Sequence, residues 1–497
     1  MISKKRTSDI VIINCILRAM NSKEIPLKAA LIPIIALIAL LSYNVFVFKS
    51  DALGGSNQFI LLIGGVIAAI VGFCYQVSYK TMLEKVSDGI QSVSVPILIL
   101  LFVGALAGTW LISGIIPAMV YYGLQILHPT IFLPACIIVC SLISLATGSS
   151  WTTSATVGIA LIGIGNALGI PMGMTAGAVI SGAYFGDKLS PLSDTTNLAP
   201  AMAGSELFSH IRYMTYTTVP SILMTLIVLL IISFSFDTQQ VADTSTITAS
   251  ISEKFNLNGF LFLVPATVIF LIIKKTPPLI ALMIGTLMAI VFALIFQRPL
   301  LTELVPQGVL NFENGYRVIL TAITTETQIQ SNNIMISDLL ISGGMQGMLS
   351  TIWLIFCAMF FGGILDAIGA LATISKALLN WAKNTFQLVL STVASSLAVN
   401  ISASDQYLSI VIPGKMFANS YRERNLAPEN LSRTLEDGGT VTSVLIPWNT
   451  CGAYQSGVLG VGVGEYFLYA IFNWISPFMT LIYALFKIKI RMRTHPH

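Results

Sequence analysis

The sequence predicts an all-α polytopic membrane protein of about ten transmembrane helices in two inverted repeats, each with a re-entrant hairpin and a broken helix. Three observations lead there. Of the 497 residues, 55% are hydrophobic and 10% charged, against about a quarter charged in a soluble domain. From Gly89 to Gly186 there is no Asp, Glu, Lys or Arg, and then Asp187, Lys188 and Asp194 arrive close together around Pro191. Finally, the same order of apolar runs and polar interruptions occurs twice. A bilayer core cannot solvate backbone groups, so apolar runs of about 20 residues are expected to be helices.

The N-terminal segment, 1–25, opens Met-Ile-Ser-Lys-Lys-Arg. Its apolar run from Ile10 to Met20 is short, carries Arg18 and lacks a small-residue cleavage site, so it reads as a cytoplasmic amphipathic segment and not a signal peptide. The first repeat, 26–236, begins with spans at 26–48, 58–76 and 94–123. Two apolar pieces at 129–146 and 151–168 are each short for a span and flank Ala146-Thr-Gly-Ser-Ser-Trp-Thr-Thr153. That is the pattern of a re-entrant hairpin, whose polar tip is tolerated at membrane depth only beside protein or a water-filled cavity. Residues 174–203 read as one span interrupted from Lys188 to Asn197, and 206–234 as a full span. A polar outer loop, 237–257, ends this half.

The second repeat, 258–487, has spans at 258–273, 277–297 and 346–370. A split region follows, 385–399 and 406–418, with the tip Val399-Asn-Ile-Ser-Ala-Ser-Asp-Gln406. An interrupted span at 434–463 breaks around Leu445-Ile-Pro-Trp-Asn-Thr-Cys-Gly452, 464–487 closes the repeat, and 488–497 is a tail. The tips at Thr147 and Asn400 are offset by 253 residues, the breaks at Pro191 and Pro447 by 256. The outer segment from Arg298 to Met345 has no role assignable from sequence.

Basic residues give an orientation. Five crossings per half, starting with the N-terminus inside, put Lys80/Lys85, Arg212, Lys274/Lys275, Lys376/Lys383, Arg422/Arg424/Arg433 and the terminal Lys487 to Arg493 cluster on the cytoplasmic side, in accord with the positive-inside rule. The expected location is therefore the plasma membrane, multi-pass, with both termini cytoplasmic. An odd number of crossings per half inverts one half relative to the other. Inverted repeats with discontinuous helices meeting near the midplane are a transporter architecture. The basic residues form no patch with interleaved aromatics, which excludes a nucleic-acid partner.

Four polar stretches converge if the repeats pack face to face: Thr147 to Thr153, Asp187 to Asn197, Asn400 to Gln406 and Pro447 to Thr450. Their Ser, Thr, Asn and Asp side chains are hard oxygen donors, and broken helices add free carbonyls and N–H groups. The candidate binding residues are Thr147, Ser149, Ser150, Asp187, Lys188, Ser193, Asp194, Thr195, Asn197, Asn400, Ser402, Asp405, Asn449 and Thr450. A carboxylate at bilayer depth costs roughly 2.5 to 3.5 kcal/mol, so Asp194 and Asp405 are singled out as the pair that handles a small cation or a proton. The plainer readings are that Asp194 caps the half-helix after it, that Asp187 and Lys188 belong to a structural ion pair, and that Glu436 and Asp437 are structural or vestibular. Asp366 reads as interfacial, and His128 and His210 as loop residues. Cys136 and Cys140 share a helix face with no His or carboxylate near and read as packing residues. No cofactor is expected.

Three segments resemble the signatures of the NhaC-type sodium/proton antiporters: Gly182-Ala-Tyr-Phe-Gly-Asp-Lys-Leu-Ser-Pro-Leu-Ser-Asp-Thr-Thr-Asn-Leu198, Thr147-Gly-Ser-Ser-Trp-Thr-Thr153 and Pro447-Trp-Asn-Thr-Cys-Gly-Ala-Tyr454. The resemblance implies a secondary antiporter, a homodimer with a scaffold and a moving transport region, that exchanges sodium for protons through Asp194 and Asp405. The family also contains exchangers of organic acids, proton–malate against sodium–lactate, for which Lys188 and half-helix N-termini would serve a carboxylate. The second tip carries Asp405 and no buried Arg accompanies it, which favours a cation. An intramembrane aspartyl protease also needs two buried aspartates. It leaves the duplicated halves unexplained, and no glycine precedes Asp405. A passive channel shares the interrupted helices, and dependence of flux on a counter-gradient separates it from an exchanger.

Overall fold

The computed structural model describes residues 25–48, 54–234, 244–305, 308–330 and 340–493. The expected N-terminal amphipathic segment and the end of the tail lie outside the described residues, as does the start of the 237–257 loop. The described chain is helical throughout apart from one small antiparallel pair, Thr327–Gln328 with Ile341–Ser342. Among the described residues, eight helices are long and apolar enough to cross a membrane, and a bent pair, Thr246–Lys254 with Gly259–Ile273, makes a ninth if it counts as one span.

One expected single span, 94–123, is in fact broken, and the expected span 346–370 ends at a glycine with a further helix beyond it. Gly114, with φ of 79°, separates Ser94–Ile112 from Ile115–Ile126, and Gly369, with φ of 75°, separates Leu349–Ala367 from Ala370–Trp381. Left-handed backbone suits glycine because it lacks Cβ, and an apolar run hides such a break. A further helix, Tyr79–Ser92, fills the stretch between the expected spans 58–76 and 94–123. Ser78 caps it by accepting from Thr81 N at 3.1 Å, and it packs Met82 and Val86 inward beside Leu349–Ala367. Its Lys85 holds Asp366 at 3.0 Å, which gives Asp366 a partner at the edge of the helical body. The segment with no assigned role supplies the helix Phe312–Thr324, laid so closely on Ser94–Ile112 that a Cβ on Gly108 would meet Ala322 O.

The parts that carry the polar stretches recur with constant spacing. Pro129–Thr147 and Thr385–Ala403 are both 19 residues long, capped by His128 and Asn384. Each ends at a left-handed residue, Gly148 at φ of 70° and Ser404 at φ of 60°, followed by an extended cap, Ser149 and Asp405, that starts the returning helix. Asp194–Ala203 and Thr450–Leu459 are both 10 residues, capped by Ser193 and Asn449 and closed by left-handed Gly204 and Gly460. Every one of these pairs lies 256 residues apart, as Gly148 and Ser404 do. The 253-residue offset expected between the tips is thereby corrected: the counterpart of Asp405 is Ser149, and that of Asp194 is Thr450.

Small residues bring the hairpin to the broken helix. A Cβ on Gly182 would lie 2.4 Å from Ile137 O, and one on Gly186 would lie 2.4 Å from Ser141 O, so Met172–Leu189 seats directly on Pro129–Thr147. Such close approach is what small residues permit between apolar helices. It delivers Asp187, one residue beyond Gly186, to the hairpin tip.

Candidate ion-binding site

A cavity of about 400 Å³ opens where the four polar stretches meet. Gly148 to Thr152 of the first tip line it, with Asp187, Ser193, Asp194 and Thr195 of the first break, Asp405 to Tyr407 of the second tip, and Thr450 of the second break. Apolar surface from Val93, Val95, Pro96, Ile99 and Pro278 completes the wall. Asp187 is 9% and Asp405 is 5% exposed. Among the described residues, no group of three or more His, Cys, Asp or Glu is arranged to hold a resident metal ion.

Each carboxylate is held differently. Asp187 accepts from Ser150 N at 3.1 Å and Ser150 Oγ at 2.7 Å, which ties the broken helix to the first tip. Asp405 caps the second returning helix, accepting from Leu408 N at 2.9 Å. Asp194 is exposed on the cavity wall. The expected burial of Asp194 is therefore corrected, and so is its reading as a cap: Ser193 caps the half-helix, accepting from Thr196 N, while Asp194 sits in the first turn.

The remaining expected residues fall into two groups. Ser149, Ser150, Ser193, Thr195 and Thr450 line the cavity. Thr147, Lys188, Asn197, Asn400, Ser402 and Asn449 do not. Thr147 ends its helix over Ser144 O, Asn197 is exposed and bonds Pro191 O and Ser193 O, and Ser402 donates back to Ala398 O. Asn400 donates to Gly439 O at 2.6 Å and receives Asn449 Nδ2 at 3.1 Å on its own Oδ1, so these two brace the second break behind the cavity.

Lys188 is the clearest correction. It is 1% exposed and bonds Asp437, which is 0% exposed and belongs to the other half. The expected structural ion pair exists, but with Asp437 instead of Asp187. Asp437 also accepts from Ser476 Oγ at 3.0 Å, Thr217 Oγ1 at 3.1 Å and Thr480 Oγ1. His210 is no loop residue: it is fully buried within Leu207–Phe234, with Nδ1 2.7 Å from Ser432 Oγ. Arg433 likewise lies within Pro428–Leu435, fully buried with its guanidinium 4.6 Å from the centre of the Tyr213 ring.

Sequence reasoning missed the aromatic joint of the site. Trp151 of the first tip stacks on Tyr454 of the second half-helix at 4.0 Å between centroids, and Tyr454 Oη donates to Trp151 O at 3.2 Å. Both residues stand in signature segments, which is the signal that could have singled them out. Gln406 and Tyr407 also face the cavity, and Cys451 Sγ lies 3.1 Å from Gln406 Oε1.

Electrostatically, four capped helix starts meet here, at Ser149, Ser193, Asp405 and Asn449. Each contributes roughly half a positive charge, about +2 in all, against three carboxylates and no Lys, Arg or His in the lining. With the carboxylates ionised the cavity carries about one net negative charge. Protonating two of them reverses the sign.

Paired hairpins and broken helices around a polar cavity, in a body of apolar helices, define a secondary transporter. The Na+/H+ antiporter family model matches residues 182–488, and the chain belongs to that family. It is 36% identical over 91% of its length to 94% of the Na(+)/H(+) antiporter NhaC of Alkalihalophilus pseudofirmus. It is 34% identical, over 86% of its length and 88% of the other chain, to a malate-2H(+)/Na(+)-lactate antiporter of Bacillus subtilis. With the arginine/ornithine antiporter ArcD of Halobacterium salinarum it shares 32% identity over 93% of both chains. These relatives are antiporters and not enzymes.

Proposed function

We propose that this protein exchanges sodium ions for protons across the plasma membrane, with Asp187, Asp194 and Asp405 as the carboxylates that both cations contest. The observation that carries this reading is the cavity itself: three carboxylates and a rim of Ser and Thr hydroxyls, with no basic side chain in the lining. Hard oxygen donors suit a small hard cation, and a carboxylate that holds a proton cannot at the same time give that oxygen to sodium. Mutually exclusive occupancy is the condition for coupling. The two halves are inverted, both termini are cytoplasmic, and the transport region alternates access around the cavity.

The Asp187–Ser150 bond ties the carboxylate to the first tip. Sodium arriving at Asp187 and Asp405 releases their protons, access switches, and protons on the far side displace sodium. Asp194, being exposed, draws cations to the mouth. Asp405→Asn with Asp187→Asn, assayed for sodium-driven proton movement in proteoliposomes, tests the reading, and full exchange in either variant removes that residue from the site.

A second reading, exchange of a small organic anion coupled to sodium or protons, is favoured by one feature. A 400 Å³ cavity with an apolar wall and four helix starts is larger than a bare sodium ion needs, and helix N-termini bind carboxylates. Two of the named relatives carry organic cargo.

A further inference from the structure

We propose that Glu436, outside the cation cavity, is a separate proton-binding site that carries one of the protons exchanged. This rests on the antiport reading above and adds to it a proton group that sodium does not reach. Glu436 is 0% exposed, neither carboxyl oxygen has a hydrogen-bond partner among the described residues, and it does not line the cavity.

The bonding of the charged groups around it assigns the proton. Lys188 already bonds Asp437, and Asp437 receives three hydroxyl donors besides. Of the two buried acids, Asp437 is fully bonded and Glu436 is bare: the buried Arg433, three residues before it, lies over the Tyr213 ring and bonds neither of its oxygens. A buried ionised carboxylate without partners is strongly disfavoured, so the proton resides on Glu436. Of the helices packed on its turn, Thr385–Ala403 has no titratable group and Ile471–Leu485 has Tyr483. Gln406–Glu423 has Tyr407, Lys415, Tyr421, Arg422 and Glu423, Asp194–Ala203 has Asp194, and Pro428–Leu435 has Glu429 and Arg433.

Two features set this carboxyl apart from a requirement of the fold. It opens a π-turn, Glu436–Thr440, a distortion frequent at functional sites. Its counterpart 256 residues earlier is Ile180, so the repeated scaffold is built with an apolar residue at that place. The hydroxyls of Thr440, in the same turn, and of Ser396, whose Cβ a side chain on Gly438 would contact, are likewise without partners.

The test uses the full-length protein in proteoliposomes with Glu436→Gln and Glu436→Asp. Sodium–sodium exchange, followed with labelled sodium, reads the cavity. The balance point between imposed sodium and pH gradients, followed with a lumenal pH dye, reads protons moved per sodium. Glu436→Gln is expected to keep sodium–sodium exchange within about 2-fold, because Glu436 lines no part of the cavity, and to move one proton fewer per sodium, while Glu436→Asp keeps the original ratio. An unchanged ratio in Glu436→Gln overturns the proposal. If Glu436→Gln is not recovered folded, Glu436→Ile takes its place with the same expectation. Absence of sodium–sodium exchange in the unaltered protein would instead refute the sodium reading, and the proton count against malate and lactate would then decide the role of Glu436.

Discussion

Lys188 and Asp437 are bonded to each other across the two halves of the protein, with side chains 1% and 0% exposed. They lie 249 residues apart in sequence. The pair joins the first broken helix to the π-turn of the second, and three hydroxyls complete the shell of Asp437.

Removing one partner strands a buried charge, which typically costs about 3–5 kcal/mol, whereas replacing both by apolar residues of similar size is often neutral. Lys188→Ala and Asp437→Ala are each expected to lower the melting temperature of the detergent-solubilised protein and its yield. Lys188→Met combined with Asp437→Leu is expected to recover most of that loss. Thermal unfolding of the three variants checks it, and additive losses in the double variant would mean that the pair is not the unit described.

The cavity carboxylates are expected to differ in severity. Asp187→Asn and Asp405→Asn, both buried, are expected to lower sodium-driven exchange by about 100-fold or more, the scale of an interaction worth ~2.7 kcal/mol. Asp194→Asn, exposed on the wall, is expected to change mainly the apparent sodium affinity, by about 3- to 10-fold at low salt, and less as ionic strength rises. Initial rates against sodium concentration separate these outcomes.

Competition fixes the sign of the pH dependence. Protons leave the carboxylates as pH rises, so apparent sodium affinity is expected to increase with pH until the site is fully ionised, then level off, with the maximal rate little changed at saturating sodium. An affinity that falls as pH rises, or a purely rate-limiting effect of pH, would be inconsistent with shared carboxylates.

Gly186→Ala is expected to displace the broken helix from the hairpin, since a Cβ there would lie 2.4 Å from Ser141 O. Overpacking of this kind costs about 1–3 kcal/mol. Because Asp187 follows immediately, exchange is expected to drop more than folded yield does, read as transport per unit of purified protein. Gly169→Ala meets nothing within 4 Å but sits at φ of 72°, and is expected to affect stability alone.

The convergence of the four polar stretches was legible because carboxylates and hydroxyls stand out inside apolar runs, and because the two halves share one order of parts. Asp194 was misread as buried because composition gives depth in the membrane but not the direction of a side chain at a helix break. Lys188 had its true partner hidden by sequence distance, and the adjacent Asp187 offered a misleading local one. His210 and Arg433 looked like loop residues because polar groups near span ends usually are. In the fold they are buried against Ser432 and Tyr213. The break at Gly114 leaves no polar mark at all.

The most direct test of the central claim is sodium-driven proton movement in proteoliposomes with a lumenal pH dye, with and without malate and lactate. A sodium-dependent pH change that needs no organic acid, and that disappears in Asp405→Asn, is the predicted result. A response seen only with an organic anion, or one that survives in Asp405→Asn, would contradict it.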